Sequence, residues 1–466
     1  MTRTRRTGMM RSMRTPARSR LATLLLLAPA FAGTQALPAH AKAPASTLSA
    51  TERKLVQRID RHLPESLALL ERVVNVNSGT SNLAGVREVG RLFAGELDAL
   101  GFRTSWVDGA GFGRAGHLIA EGGSPKASLP KIVLVGHLDT VFEPDSPFQR
   151  FQRLDDSTAT GPGTTDMKGG DVIMLLALRA LHDTGELDRL RVTVVMTGDE
   201  ESPGRPIEAA RAALVEAARG AAAAIGFEDG DGDPRHVIVS RRGSTGWTLR
   251  VSGTPSHSSQ VFTPDVGIGA IFETARILER FRDSLAFEPY LTFNPGLVLG
   301  GTSLTHEQAA ARGTAFGKSN VVAETTLVTG DLRALTLEQR EHARAVMERI
   351  VADGSSRTAA SIVFDDSYPP LAPGDGNRRL LATIDQASRD LGLGALSPVD
   401  PARAGAADVS FLAGTVPMVV DAMGMKGSGG HTVLETARLR SLAVQAKRVA
   451  VTLSRLARGV GAGPKR

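Results

Sequence analysis

The sequence contains no cysteine among its 466 residues. The chain therefore forms no disulfide bonds, and any metal site in it must be built from histidine and carboxylate ligands. Zinc-finger modules, which bind their metal through cysteine, are excluded.

The first 41 residues contain neither an acidic residue nor a lysine, but they contain seven arginines. After position 41 the chain has 48 basic and 49 acidic residues, so the formal charge of +6 comes from this N-terminal segment. Because the chain after position 41 is near neutral, it has no electrostatic basis for binding nucleic acid, and we expect no nucleic-acid partner.

The arginine-rich segment is followed by an apolar run at 21–31 and then by Ala39-His40-Ala41, which has the small-x-small form of a signal-peptidase site. This pattern predicts a signal peptide over residues 1–41 and an exported protein, periplasmic or secreted. An uncleaved membrane anchor is the alternative, but the apolar run is shorter than the ~20 residues that a span needs. The export route, general secretory or twin-arginine, stays open.

Helical patterns alternate with short apolar strands over most of the remaining chain. Three strands that read as buried on both faces, followed by polar residues, are predicted at 131–137, 191–196 and 222–227. This alternation predicts an α/β fold with a mostly parallel sheet and flanking helices. Between 242 and 367 the pattern becomes βαββαβ, so we expect an inserted α+β domain between two parts of a catalytic domain, 42–241 and 368–466.

Residues that could bind a metal ion stand at or just after the end of each of the three buried strands. They are His137-Leu138-Asp139, Glu200-Glu201 and Glu228-Asp229. Because ligands bind at the carboxyl ends of strands in open α/β sheets, these side chains should converge. In the first triplet, Asp139 is placed to hydrogen-bond the second ring nitrogen of His137. In the second pair, one carboxylate can bind metal while the other faces a bound water.

Two glycine-rich loops carry further ligands. The loop 161–170 presents Asp166, and the loop 424–431 ends at His431. A dinucleotide-binding fingerprint is the competing interpretation of the first loop, but Asp166 stands where its third glycine belongs. Together, two histidines and three carboxylates suit two divalent ions that share Asp166 and a water molecule.

These motifs resemble the co-catalytic metallopeptidases that include glutamate carboxypeptidase, aminoacylase and succinyl-diaminopimelate desuccinylase. The resemblance spans roughly Thr51 to Leu456, and five elements occur in the family's order, with intervals of 29, 35, 27 and 203 residues. It implies the zinc-exopeptidase-like fold, with the insert 242–367 as a lid and dimerisation domain. It is closest in type to glutamate carboxypeptidase.

The resemblance also implies roles for individual residues. His137 and Glu228 would hold one metal ion, Glu201 and His431 the other, and Asp166 both. Glu200 would be the general base, Asp139 and Glu435 supporting acids. The implied cofactors are two zinc ions per subunit, with cobalt or manganese as alternatives.

In the lid, His257 matches a histidine that is thought to reach the site of a partner subunit, which implies a homodimer. Asn320 and Arg333 match positions around the substrate. From the residues alone, Arg333 could equally be an ion-pair partner of Asp331.

The expected function is hydrolysis of a peptide or N-acyl amide bond next to a free carboxylate, with a small peptide or N-acyl amino acid as substrate. A desuccinylase or dipeptidase of the same family, and an exported metal- or peptide-binding protein without activity, are the alternatives. The loop Gly405-Ala406-Ala407-Asp408 departs from the family's glycine-serine-aspartate pattern, which leaves the leaving group open.

Overall fold

The computed structural model describes residues 47–308 and 311–459. The predicted signal peptide, 1–41, lies outside the described residues. Among the helices that are described, none is long and apolar enough to cross a membrane. The described helices are α1 (Ala50–Val74), α2 (Leu83–Asp98), α3 (Lys168–Asp183), α4 (Ile207–Ala217), α5 (Gly269–Leu285), α6 (Leu337–Ala352), α7 (Asp375–Asp390) and α8 (Arg440–Ala457).

The strands fall into a large central sheet, a sheet in the insert and several small ones. They are β1 (Arg103–Asp108), β2 (Gly116–Gly123), β3 (Lys131–His137), β4 (Gln152–Arg153), β5 (Thr158–Thr160), β6 (Arg191–Thr197), β7 (Ala223–Gly226), β8 (His236–Val237), β9 (Thr245–Gly253), β10 (Thr292–Gly301), β11 (Ser303–Glu307), β12 (Arg312–Phe316), β13 (Thr325–Arg333), β14 (Thr358–Asp366), β15 (Ser397–Pro398), β16 (Val419–Val420), β17 (Gly427–Ser428) and β18 (Thr436–Arg438).

The central sheet has the strand order β1-β2-β6-β3-β7-β16. Its pairings β6–β3, β3–β7 and β7–β16 are parallel, whereas β1 and β2 add an antiparallel edge. The predicted mostly parallel α/β sheet is therefore confirmed. The antiparallel edge is a feature that the sequence reading did not include.

The middle strand β3 is buried on both faces, as its continuous apolar run predicts. Ile132 and Leu134 belong to the core formed with α1, α2, α3 and α8. The alternate residues Val133 and Val135 belong to a smaller core on the other face, with Leu214 of α4. Helices on both faces thus fix the sheet and leave its carboxyl edge for polar side chains.

The insert forms a separate four-stranded antiparallel sheet, of order β10-β13-β9-β14, with α5 and α6 packed on it. It has its own core, which includes Trp247, Phe281 and Met347. The hairpin β11–β12 is an addition to the predicted βαββαβ order. The boundaries proposed for the catalytic and lid domains stay a prediction.

Candidate active site

The three parallel strands β6, β3 and β7 are neighbours, and each ends at a polar side chain of interest. His137 is the last residue of β3, Glu200 and Glu201 lie three and four residues after β6, and Glu228 lies two residues after β7. Parallel strands end at the same edge of a sheet, which brings these side chains together. The Nε2 atom of His137 lies 3.6 Å from the Glu228 carboxylate.

Asp166 is delivered to this edge by the loop between β5 and α3. Its Oδ1 atom lies 3.0 Å from Nε2 of His137, and its Oδ2 atom lies 2.9 Å from Nε2 of His431. His431 is also 3.1 Å from the Glu201 carboxylate. One carboxylate therefore stands between the two histidines, with one oxygen facing each.

A small antiparallel sheet brings the loop of His431 to the loop of Asp166. Its strand order is β17-β18-β5-β4, so that β18, which follows His431, pairs with β5, which precedes Asp166. His431 has φ of 62°, a left-handed conformation that is uncommon for a residue with a side chain. The side chain of His431 is 58% exposed, so this half of the cluster is open to solvent.

Glu435 fixes the Asp166 loop from behind. This buried carboxylate accepts hydrogen bonds from the backbone N–H groups of Gly163 and Thr165, at 3.1 and 2.7 Å, and from the hydroxyls of Thr164 and Thr165. A carboxylate with that many donors holds a glycine-containing loop in one conformation. Glu435 also accepts a longer hydrogen bond from the backbone N–H of Asp166 itself, at 3.4 Å, so it supports Asp166 through the backbone of the loop.

Asp139 orients both His137 and the glutamate pair. Nδ1 of His137 lies 3.0 Å from the Asp139 carbonyl oxygen and 3.4 Å from its carboxylate. Since both oxygens are acceptors, Nδ1 carries the proton and Nε2 faces Asp166. The Asp139 carboxylate also accepts from the N–H groups of Glu200 and Glu201, at 3.0 and 3.1 Å, and from Thr80.

The carboxylates crowded into this edge repel one another. Burial, together with the charge of Asp166, raises the pKa of Glu201 to about 7 and raises the pKa of Glu228 well above its usual range. Burial also raises the pKa of Glu200 strongly. By contrast, hydrogen bonds with His137 and His431 outweigh the effect of burial on Asp166, and its pKa is lowered.

The donor set fits divalent cations. Atoms of His137, Asp166 and Glu201 lie within 4.8 Å of one another, as do atoms of His137, Glu200 and Glu228. The Oε1 atom of Glu201 is buried and has no hydrogen-bond partner among the described residues, so a lone pair is free. Cations at these positions would relieve the repulsion between the carboxylates.

The three residues predicted for the lid belong to the inserted segment and not to the strand ends of the central sheet. Asn320 and His257 are neighbours, since the Asn320 carbonyl accepts from the N–H of Ser258 at 2.9 Å, and both side chains are exposed. Arg333 donates through Nε to both carboxylate oxygens of Asp331, at 2.9 and 3.1 Å. The ion-pair interpretation of Arg333 is therefore realised in the structure, and none of the three lid side chains has a hydrogen bond to the cluster among the described residues.

Arg333 and His257 lie at opposite ends of the lid sheet. The residue before Arg333 pairs with Thr245 at the start of β9, whereas His257 follows the end of β9, where Ser252 pairs with Thr325. Strand β13 runs between those ends with nine residues, so that its eight steps of ~3.4 Å span about 27 Å. Arg333 and His257 are thus attached at opposite ends of this sheet.

Several residues that support the site were not singled out from the sequence. Arg211, within the alanine-rich helix α4, is 1% exposed and pairs with Asp199 and Asp408. Arg241 pairs with Asp421, which accepts from the N–H of Glu228. A lone arginine among alanines is the only signal in the sequence that could have indicated the first pair.

Comparison with known proteins gives a consistent result. Residues 133–455 match the sequence model of peptidase family M20/M25/M40. Carboxypeptidase G2 of Pseudomonas sp. (strain RS-16) is 23% identical over 380 residues, which cover 81% of this chain and 86% of that protein. Acetylornithine deacetylase of Pasteurella multocida (strain Pm70) is 32% identical over 231 residues, which cover 46% of this chain and 56% of that protein.

Among solved structures, aminopeptidase PepT from Bacillus cereus ATCC 10987 superposes with a TM-score of 0.69 at 20% sequence identity, covering 85% of this chain and 99% of that chain. At this identity the likeness shows the fold. The match to the family model begins within β3 and includes all five predicted metal ligands, and the resemblance inferred from the sequence is confirmed.

Proposed function

This chain belongs to peptidase family M20/M25/M40 and is a hydrolase of that family, and we propose that it cleaves a peptide or N-acyl amide bond next to a free carboxylate. The observation that carries the proposal is the position of Asp166, whose two oxygens face two different histidines at 3.0 and 2.9 Å. A carboxylate in that position is arranged to bridge two cations.

We propose that His137 and Glu228 hold one divalent ion, that Glu201 and His431 hold the other, and that Asp166 binds both. The ligands are nitrogen and oxygen only, which suits zinc, and also cobalt or manganese. When bound, such a pair of ions supplies Lewis-acid chemistry, acidifying a water and polarising the scissile carbonyl. The remaining steps belong to the chain's own side chains.

Glu200 is the proposed general base. Its carboxylate accepts the proton of the attacking water and then delivers that proton to the nitrogen of the leaving group. Burial raises the pKa of Glu200, so its carboxylate holds a proton more readily than an exposed glutamate does. Asp139 fixes the backbone of this residue through the N–H of Glu200, at 3.0 Å.

The proposed substrate requirement is a carboxylate next to the scissile bond, bound by an arginine such as Arg333. Among the described residues the Arg333 guanidinium donates hydrogen bonds only through Nε, to Asp331, which leaves its two terminal nitrogens for a substrate carboxylate. The name of carboxypeptidase G2 agrees with a substrate that has a free carboxylate. The name of acetylornithine deacetylase agrees with an N-acyl amino acid as substrate.

A paired substrate panel tests this requirement. N-acyl amino acids and dipeptides should be hydrolysed. The C-terminal amide of each should react at least about a hundredfold more slowly, because the carboxylate-binding group is left unpaired. The measurement is kcat/KM for each acid and its matched amide. Equal values would refute the carboxylate requirement, and selective cleavage of dipeptides with a free amine would favour the dipeptidase alternative.

We propose that the protein is a homodimer through its lid. Five exposed apolar side chains on and beside α5 and the edge strand β10 support this, and the rings of Phe262 and Phe272 lie 5.6 Å apart. An exposed patch next to an unpaired strand edge is typical of an association surface. The five are Phe262, Ile271, Phe272, Val298 and Phe316.

In such a dimer, we propose that His257 stabilises the oxyanion in the site of the partner subunit. Mixed dimers test this. When Glu200→Gln and His257→Ala subunits are co-expressed, each mixed dimer has one site with both residues intact, and about a quarter of wild-type activity should return. Each variant alone serves as the inactive control. No recovery in purified mixed dimers would show that His257 acts within its own subunit, whereas a fully active His257→Ala protein would show that it has no catalytic role.

We propose that the protein is exported after removal of residues 1–41. The support is the arginine-rich start, the apolar run and Ala39-His40-Ala41. N-terminal sequencing of the protein from cell fractions tests this proposal. A mature chain that begins at Lys42, in the periplasm or the medium, is expected, and an intact chain in the cytoplasm would contradict it.

A further inference from the structure

The backbone of Glu200 is in contact with a buried polar network that the proposed mechanism does not use. The hydroxyl of Tyr368 donates a hydrogen bond to the carbonyl oxygen of Glu200 at 2.8 Å. The same hydroxyl accepts a hydrogen bond from Nη2 of Arg211 at 2.9 Å. Tyr368 is 6% exposed, so water does not compete for these bonds.

Arg211 is itself held in one orientation by two acids. Its Nη1 atom donates to the Asp199 carboxylate at 2.6 Å, and its Nε atom donates to the Asp408 carboxylate at 2.7 Å. Asp408 ends the loop 405–408, the segment that departs from the family's usual sequence. Buried ion pairs often add little to stability compared with apolar packing, and in some proteins they fix a geometry instead.

The geometry that is fixed here is the peptide plane between Glu200 and Glu201. Its carbonyl accepts from Tyr368, and its N–H, which belongs to Glu201, donates to Asp139 at 3.1 Å. With both ends of the peptide bound to buried side chains, the plane cannot rotate. The directions in which the two glutamate side chains leave the backbone are then set.

We propose that Tyr368, held by Arg211 and Asp408, is a positioning residue that fixes the Glu200–Glu201 peptide plane and so aims the Glu200 carboxylate at the reacting centre. The inference rests on the proposed function, because it takes Glu200 as the base. Tyr368 does not touch the substrate in this account; it acts through the backbone of Glu200.

Tyr368→Phe is the variant that tests the role, since it removes only the hydroxyl. The ring keeps its contacts with Phe411, at 5.2 Å between centroids, and with the Arg211 guanidinium, at 5.6 Å. The sequence has one other tyrosine, Tyr290, which is 42% exposed in the lid, and Tyr290→Phe is the matched control.

In Tyr368→Phe, kcat should fall about ten- to a hundredfold, the size of effect that a small misplacement of a reacting group produces. KM should stay within about twofold, and metal content should equal that of the wild type. Tyr290→Phe should match the wild type in all three. An unchanged kcat in Tyr368→Phe would overturn the inference, as would a loss of activity that follows a loss of metal or of folded protein, since that is the mark of a merely structural role.

A crystal structure of Tyr368→Phe separates this inference from the proposed function. The carbonyl and side chain of Glu200 should be displaced or present in more than one conformation, whereas the ligand cluster of His137 and Asp166 should stay in place. If the wild type hydrolyses none of the substrates, the proposed function fails, but the crystallographic result still decides the positioning: an unmoved Glu200 would overturn it.

Discussion

Replacement of Glu200 by glutamine should lower kcat by about a thousandfold or more while the metal ions stay bound. Glutamine has nearly the same shape, but its amide cannot accept the proton of an attacking water, and general-base catalysis contributes about 10²–10⁴ in rate. The backbone N–H of Glu200 donates to Asp139, and its carbonyl accepts from Tyr368. These two hydrogen bonds do not involve the carboxylate and should persist. Steady-state kinetics with metal analysis of the same sample measures both quantities.

The control for this prediction is Glu216→Gln, the same change at a glutamate of α4 whose side chain is 69% exposed. It should leave kcat and metal content at their wild-type values. If Glu200→Gln kept more than about a tenth of the wild-type kcat, Glu200 would not be the base. If it lost metal instead, Glu200 would be a metal ligand. The potential ligand atoms of Glu200, His137 and Glu228 do lie within 4.8 Å of one another.

Replacement of Asp166 by asparagine should have an effect of similar size by a different route, loss of both metal ions. Asparagine removes the negative charge and replaces one oxygen by an NH₂ group, which is a donor and cannot bind a cation. The remaining ligands, His137 with Glu228 and His431 with Glu201, would form two separate half-sites. Activity should fall to background, and the metal content of dialysed protein should fall from two ions per chain to less than one.

The loss of metal should also be visible in stability. Ions that bind only the folded state raise its stability by mass action, so chelation should lower the melting temperature of the wild type. The melting temperature of Asp166→Asn should change little on chelation, because this variant holds little metal to lose. Asp155→Asn, at an exposed turn of the β4–β5 hairpin, provides the matched control. A chelator-sensitive Asp166→Asn protein with full activity would contradict the bridging role.

The strand-end residues could be predicted from the sequence because their signal is local. An apolar run such as 131–137 that stops at a histidine predicts both the strand and the edge on which the histidine lies. The sheet order then places β6, β3 and β7 side by side, and the predicted residues His137, Glu201 and Glu228 meet as expected.

The partners that hold these residues could not be predicted, since their contacts join distant parts of the chain through weak local patterns. Strands β5 and β18 have three residues each, too few for a periodicity, yet their pairing brings His431 to Asp166. Strand β1 alternates between exposed and half-buried residues and gives no clear apolar run. Tyr368 is separated by 168 residues from the carbonyl that it holds.

The lid shows a further limit of sequence reasoning. The sequence pattern gives the helices and strands of the insert, but the resemblance assigns His257, Asn320 and Arg333 by motif alone, with His257 assigned to the site of a partner subunit. In the structure Arg333 lies at one end of the sheet and the other two lie at the opposite end. The antiparallel register of β9 and β13, which the sequence pattern does not give, reveals this separation.

Anomalous X-ray diffraction from crystals of the metal-loaded protein shows whether Asp166 bridges two metal ions. We expect two anomalous peaks per chain, ~3.5–4 Å apart, with the Asp166 carboxylate between them, His137 and Glu228 at one peak, and His431 and Glu201 at the other. A single peak, or two peaks of which only one lies at Asp166, would contradict the bridging role of Asp166.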